Sequence, residues 1–155
     1  MVLTDPDVEE ILKGCMVARL VTMSSRGRPH VNPIYFVLHN GKIHLGTTTR
    51  TLAARNVVAN PKVQVLLEVE SEPSNGRMVR ITGEAVVLTD PEILREYKRR
   101  DARKYFRSWT SLWMSLTHLR QLFLTKRYLS SDDPATSHCV IEIDATDVEL
   151  LTSTT

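Results

Sequence analysis

The chain has 155 residues, 42% of them apolar and 25% charged, and Lys plus Arg (20) exceed Asp plus Glu (18) by two. That length suits a single domain, that apolar share excludes general disorder, and a net charge of +2 is too small to argue for nucleic-acid binding. The two cysteines, Cys15 and Cys139, show neither CxxC nor Cys/His spacing, which argues against a disulfide framework and a structural zinc site. No apolar run reaches the roughly 18 residues needed to cross a bilayer, and the opening Met1-Val2-Leu3-Thr4-Asp5-Pro6-Asp7 lacks the regions of a secretory signal. A soluble cytoplasmic protein is expected.

In chain order, Asp5-Pro6 predicts a helix start, with Asp5 as cap and Pro6 where no amide donor is needed. Val8, Ile11 and Leu12 form its apolar face and Gly14 its stop. Residues 15–23 read as a strand, and Ser24-Ser25-Arg26-Gly27-Arg28-Pro29 as a turn. A second strand over 30–38 contains Pro33, which marks an edge, a bulge or a place where the strand splays. Asn40-Gly41, between two apolar runs, is the pair that favours a type I′ hairpin, and 43–48 is the third strand. Residues 49–59 suit a short helix with Leu52, Ala53, Asn56 and Val57 near one face, ended by Asn60-Pro61.

A fourth strand follows, with Val63, Val65, Leu67 and Val69 alternating with more polar neighbours, then a loop over 71–77. The fifth, 78–89, places Val79, Ile81, Gly83, Ala85 and Val87 on one face; the sixth, 139–151, is expected to bend near Ala145-Thr146-Asp147. Tight turns make the sheet antiparallel, and six apolar strands hide their edges by closing into a small barrel. A helical insert over about 91–126 precedes the last strand, opened by Asp90-Pro91 and carrying Ile93, Leu94, Tyr97, Tyr105, Phe106, Trp109 and Trp113 among its apolar positions. Unbroken to residue 124 it would be about 50 Å long, so a break is expected near 108–111, with a polar loop over 130–137. The fold class is therefore mainly β, a six-stranded antiparallel barrel with peripheral helices, in one domain spanning 1–155.

Chemistry concentrates in Leu45-Gly46-Thr47-Thr48-Thr49-Arg50-Thr51-Leu52-Ala53-Ala54-Arg55-Asn56. A strand here runs into a helix start, whose first amides lack partners and carry the positive end of the helix dipole. With threonine hydroxyls and the guanidinium groups of Arg50 and Arg55 added, the segment suits a phosphate. The plainer alternative is that the threonines cap the helix and the arginines are solvated. It is not a P-loop, because no GxxxxGK[ST] is present.

The order Arg19-Leu20-Val21-Thr22, His30-Val31-Asn32-Pro33-Ile34-Tyr35-Phe36, Asn40-Gly41, 47–56, Asn60-Pro61-Lys62-Val63 and Val79-Arg80-Ile81-Thr82-Gly83-Glu84-Ala85 resembles the FMN-binding split-barrel family, the pyridoxamine 5'-phosphate oxidase-like proteins. The resemblance implies a homodimer of split barrels with flavin sites at the subunit interface. It also implies that Thr47, Thr48, Thr49, Arg50 and Arg55 face the cofactor phosphate. Asn32, Pro33, Ile34 and Tyr35 would line the ring, with Val21 and Thr22 nearby. The cofactor so implied is FMN, or alternatively the deazaflavin coenzyme F-420, and the function an oxidoreductase passing hydride between it and a small organic substrate. The alternative is a non-catalytic flavin or haem carrier or sensor.

Two departures narrow this. Many relatives carry a lysine where this chain has Ala53, and the ending Val148-Glu149-Leu150-Leu151-Thr152-Ser153-Thr154-Thr155 lacks the arginine-rich close of true pyridoxamine phosphate oxidases, so that conversion is not expected. The run Lys98-Arg99-Arg100-Asp101-Ala102-Arg103-Lys104-Tyr105-Phe106-Arg107 reads first as a solvated helix face, and second as a tether for an acidic tail, an acidic substrate or RNA. Neither nucleic acid nor a membrane is an expected partner. His30 and His44 read as strand-surface residues, and both cysteines as core.

Overall fold

The computed structural model describes residues 1–69, 77–112 and 137–152, with only the backbone of 105–112. Of the expected loop over 71–77 all but Arg77, which begins β5, lies outside the described residues, as do most of that over 130–137, the insert beyond 112 and the side chains of Tyr105, Phe106, Trp109 and Trp113. In order, the elements are α1 (Pro6–Gly14), β1 (Val17–Met23), β2 (Pro29–His39), β3 (Lys42–Thr48), α2 (Leu52–Ala59), β4 (Lys62–Glu68), β5 (Arg77–Leu88), α3 (Pro91–Leu112) and β6 (His138–Thr152).

The six strands close into an antiparallel barrel in the order β1-β2-β3-β6-β5-β4, with β4 returning to β1. Alternation decides which side chains fill it: Ala18, Leu20 and Thr22 of β1 point inward, as do Val63, Val65 and Leu67 of β4. Phe36, Ile43, Leu45, Ile81, Ile141 and Ile143 complete the filling, each fully buried and each stabilising the fold by about 1.5–3 kcal/mol. Asn40 (φ 51°) and Gly41 (φ 74°) both take the left-handed region that a type I′ turn requires. In β6 the register against β5 shifts between Thr82 and Gly83, which leaves Thr146 without a strand partner at the expected bend.

Three local expectations are corrected. Asp5 occupies the N-cap position of α1, but its carboxylate accepts from the Val2 amide at 2.9 Å and makes no cap bond. The same Asp-Pro device works at α3, where Asp90 Oδ1 accepts from the Glu92 amide at 2.7 Å. No break falls at 108–111: α3 continues to Leu112, since serine and threonine lower helix propensity without stopping a helix as proline does. His44 is buried, not on the surface, because α3 covers that side of β3.

Pro33 marks a splay. β2 pairs with β1 from Pro29 to Tyr35 but with β3 only from Phe36 to His39. Beyond Leu45, β3 has left β2 and pairs with β6 alone. The barrel is thus split between the first half of β2 and the end of β3, and that split positions the site.

Candidate functional site

One wall of the split is the first half of β2. Val31, Pro33 and Tyr35 point outward, while His30, Asn32 and Ile34 point to the other side. Val21 stands opposite Val31 in the β1–β2 register and shares its outward face. Thr22 does not: it is buried, and its hydroxyl accepts a 3.0 Å hydrogen bond from Asn56 Nδ2 of α2. That buried bond ties α2 to β1, which α2 crosses on its way over β5. Asn32 Oδ1 is buried without a hydrogen-bond partner among the described residues, an acceptor awaiting a donor.

The other wall is the end of β3 and the start of α2. Most of the threonine hydroxyls there serve the local structure. Thr51 caps α2 by accepting from the Ala54 amide at 3.3 Å, donates to the Thr48 carbonyl at 2.9 Å and accepts from Thr47 Oγ1 at 3.2 Å. Thr49 meets Ser137, its amide donating to the Ser137 carbonyl at 3.0 Å and the two hydroxyls lying 2.6 Å apart. Arg50 and Arg55 are different. Both are exposed and neither forms an ion pair among the described residues. They flank the first turn of α2, where amides without intrahelical partners and the helix dipole favour an anion. Ala53, which replaces the lysine of many relatives, is buried in the core cluster, so the positive charge of this corner comes from positions 50 and 55.

Helix α3 crosses the outer face of the barrel and closes the far end of the split. Ile93, Leu94 and Tyr97 pack on Val37 and Val140. The Tyr97 hydroxyl donates to the Tyr35 carbonyl at 3.3 Å, and Lys104 Nζ donates to the Phe36 carbonyl at 3.1 Å while sitting 3.4 Å from the Phe36 ring centroid. The basic run is otherwise a solvated face: Lys98, Arg99 and Arg103 are exposed, and Arg100 pairs with Glu96 at 2.7 Å. Burial pulls the Lys104 ammonium down to about 8 and pushes the Asp101 carboxyl up to about 6; Asp101 Oδ1 has no partner among the described residues. Burial also holds the Tyr97 phenol well above its ordinary value, so it stays a donor.

A cavity of about 430 Å³ lies away from the corner, between α3 and the β2–β3 hairpin, where His39, His44, Tyr97 and Glu142 line it. Several of its charges pair with one another, while among the described residues Glu92 forms no ion pair and the buried His39 Nδ1 has no hydrogen-bond partner. Glu142 accepts from Lys42 at 2.8 Å and meets His44 Nε2 at 3.0 Å; the lysine bond holds the carboxyl below its usual range, and burial pushes the His44 imidazole below its own. Among the described residues no cluster of three His, Cys, Asp or Glu side chains is placed to hold a metal, and no helix is long and apolar enough to cross a membrane.

The sequence placed Tyr97 among the apolar positions of the insert, Asp101 and Lys104 in the basic run and His44 on a strand surface, but did not bring them together at the edge of the split. The available signals were the spacing 97, 101, 104, which is one face of a helix, and the lone Gly46 inside a strand, which marks a close approach.

A split six-stranded antiparallel barrel with peripheral helices defines the class of fold. The family profile described as pyridoxamine 5'-phosphate oxidase matches residues 4–151, and the chain belongs to that family. Among solved structures it is similar to a conserved hypothetical protein of Mycobacterium tuberculosis (19% identity, TM-score 0.69, covering 98% of this chain and 86% of that one). It is also similar to an F420 reductase (20% identity, TM-score 0.61, covering 91% and 94%). A third likeness is to General Stress Protein 26 of Bacillus anthracis (17% identity, TM-score 0.57, covering 94% and 95%). At these identities the likeness shows a shared fold. No curated protein matches the chain.

Proposed function

We propose that the chain is an oxidoreductase that binds FMN, or alternatively coenzyme F-420, in the split, and passes hydride between that cofactor and a small organic substrate. The observation that carries this reading is the pair of exposed arginines, Arg50 and Arg55, without ion-pair partners among the described residues and flanking the first turn of α2. An exposed guanidinium beside helix N-terminal amides fits a phosphate ester. The buried, unpartnered Asn32 Oδ1 in the opposite wall fits a ring that carries an N–H donor. The cofactor would supply the redox chemistry; the chain's residues bind, orient and exclude water.

The reading includes a homodimer and a cytoplasmic location. Val31 is 58% exposed, Tyr35 41% and Met23 38%, and with Val21 and Pro33 they form a mainly apolar outer face on β1 and β2, in which Arg19, opposite Pro33, pairs with Glu68. A contiguous apolar face of this kind marks an interface, and a second copy laid on it would cover a ring held at the split.

The test begins with the visible spectrum of the purified protein and titration with FMN and F-420. The account expects one of the two to bind, and the variant with Arg50→Ala and Arg55→Ala together to lose about 2–4 kcal/mol of that affinity, each charged hydrogen bond being worth about 1.5–3 kcal/mol. Unchanged affinity in the double variant would remove the phosphate assignment. Binding without turnover of any reduced or oxidised substrate would make the protein a carrier.

A further inference from the structure

We propose that Tyr97, backed by Lys104, is a positioning residue that sets the width of the split and so the fit of the cofactor; this rests on the reading of the split as a flavin-type site. Strand β2 changes neighbours between Tyr35 and Phe36. Up to Tyr35 it pairs with β1, and from Phe36 onward with β3. A strand that leaves a neighbour strands its carbonyls, and a buried carbonyl without a donor is costly. Here one helix supplies both donors, the Tyr97 hydroxyl to the Tyr35 carbonyl and the Lys104 ammonium to the Phe36 carbonyl.

The Tyr97 ring does a second thing. It lies against Gly46 so closely that a Cβ at that position would stand 2.4 Å from a ring carbon. Gly46 directly precedes Thr47, where the segment facing the phosphate begins, and Tyr35 ends the segment that would line the ring. One buried side chain therefore touches the end of one wall and the start of the other. Its hydroxyl and its ring face act as a spacer between them, and Gly46 is the only residue type that admits so near a ring. Positions 97, 101 and 104 share one helical face, so the same turn of α3 that seats the tyrosine also seats Lys104 on Phe36.

A brace that only held α3 in place would affect stability alone. A spacer also affects binding at the split and local opening of both walls. The test is Tyr97→Phe, which keeps the ring on Gly46 and deletes the hydroxyl, read by FMN and F-420 titration and by amide hydrogen exchange. The expected result is a dissociation constant raised about threefold to tenfold for whichever cofactor the wild type binds. Amides in 31–35 and in 46–49 should exchange faster together, with the thermal midpoint lowered by only about 2–4 °C. Gly46→Ala, which pushes the ring outward, should give the same two-wall signature more strongly, and should add nothing in a Tyr97→Ala background.

Unchanged affinity and unchanged exchange at both walls, whatever the midpoint does, would overturn the proposal. If the wild type binds neither cofactor, the flavin reading fails by itself and the exchange pattern still decides: both walls loosened together supports the spacer, one or neither overturns it.

Discussion

The two halves of β2 meet opposite fates. From Phe36 onward the strand pairs with β3 and has a helix over its outer face, and Val37 is buried beneath Ile93, Leu94 and Tyr97. From Pro29 to Tyr35 it has one neighbour, β1, and its outward residues Val31, Pro33 and Tyr35 lie open. Local composition explains part of the contrast, because Pro29 and Pro33 fall only in the first half. Tertiary cover explains the rest: α3 packs on the second half at Val37 and Phe36. A chain that shields one apolar half of a strand and bares the next leaves the bare half to something outside the chain, which is where a second copy and a cofactor are proposed to sit.

The largest effect should come from charging the bare half. Val31→Glu removes no core contact, since the residue is mostly exposed, and should convert a dimer to monomer in light scattering with little change in secondary structure. A dimer that survives this change would show that the bare half is not the interface. A smaller effect is expected at the link between the barrel and the corner that holds Arg50 and Arg55. Thr22→Val deletes the acceptor for Asn56 Nδ2 and leaves a buried amide unsatisfied, which should cost about 1–3 kcal/mol in denaturant unfolding. No loss would mean that α2 is held by its apolar contacts alone.

The smallest effect sharpens the covered half. Asp101 has its carboxyl raised to about 6 by burial, so its ionisation opposes folding as pH climbs from about 4 to 6. The sign is that of an acid with a raised folded-state value: stability is greatest below the unfolded value and is lost as pH rises through the folded one. Asp101→Asn should therefore raise the thermal midpoint by a few degrees at pH 8 and by almost nothing at pH 4. An equal shift at both values would show that ionisation of Asp101 is not the cause.

Much of the barrel was legible in the sequence, because strand alternation, the Asn40-Gly41 turn and the Asp-Pro helix starts are local signals that the fold obeys. The bend at Thr146 was legible for the same reason, as polar residues interrupting an apolar strand. What escaped depends on partners far apart in the chain. His44 looks like a surface residue until α3, some 50 residues later, is laid over it. Thr22 looks available until Asn56 claims it, and the expected solvated face of the basic run loses Lys104 to Phe36. The corner itself was legible as a composition of arginines and threonines, but not the division of labour within it. Thr51 and Thr47 serve the α2 cap, while Arg50 and Arg55 form no ion pair among the described residues, and that division depends on tertiary placement.

The central claim, that this corner grips a phosphate ester, is tested most directly by comparing the affinity of the wild type for FMN with that for riboflavin, and for F-420 with its phosphate-free chromophore. The account predicts that the phosphorylated member of one pair binds at least about tenfold more tightly, equivalent to roughly 1.4 kcal/mol, and that this preference shrinks as salt screens the arginines. Equal affinity within both pairs, or binding to no member of either, would contradict it.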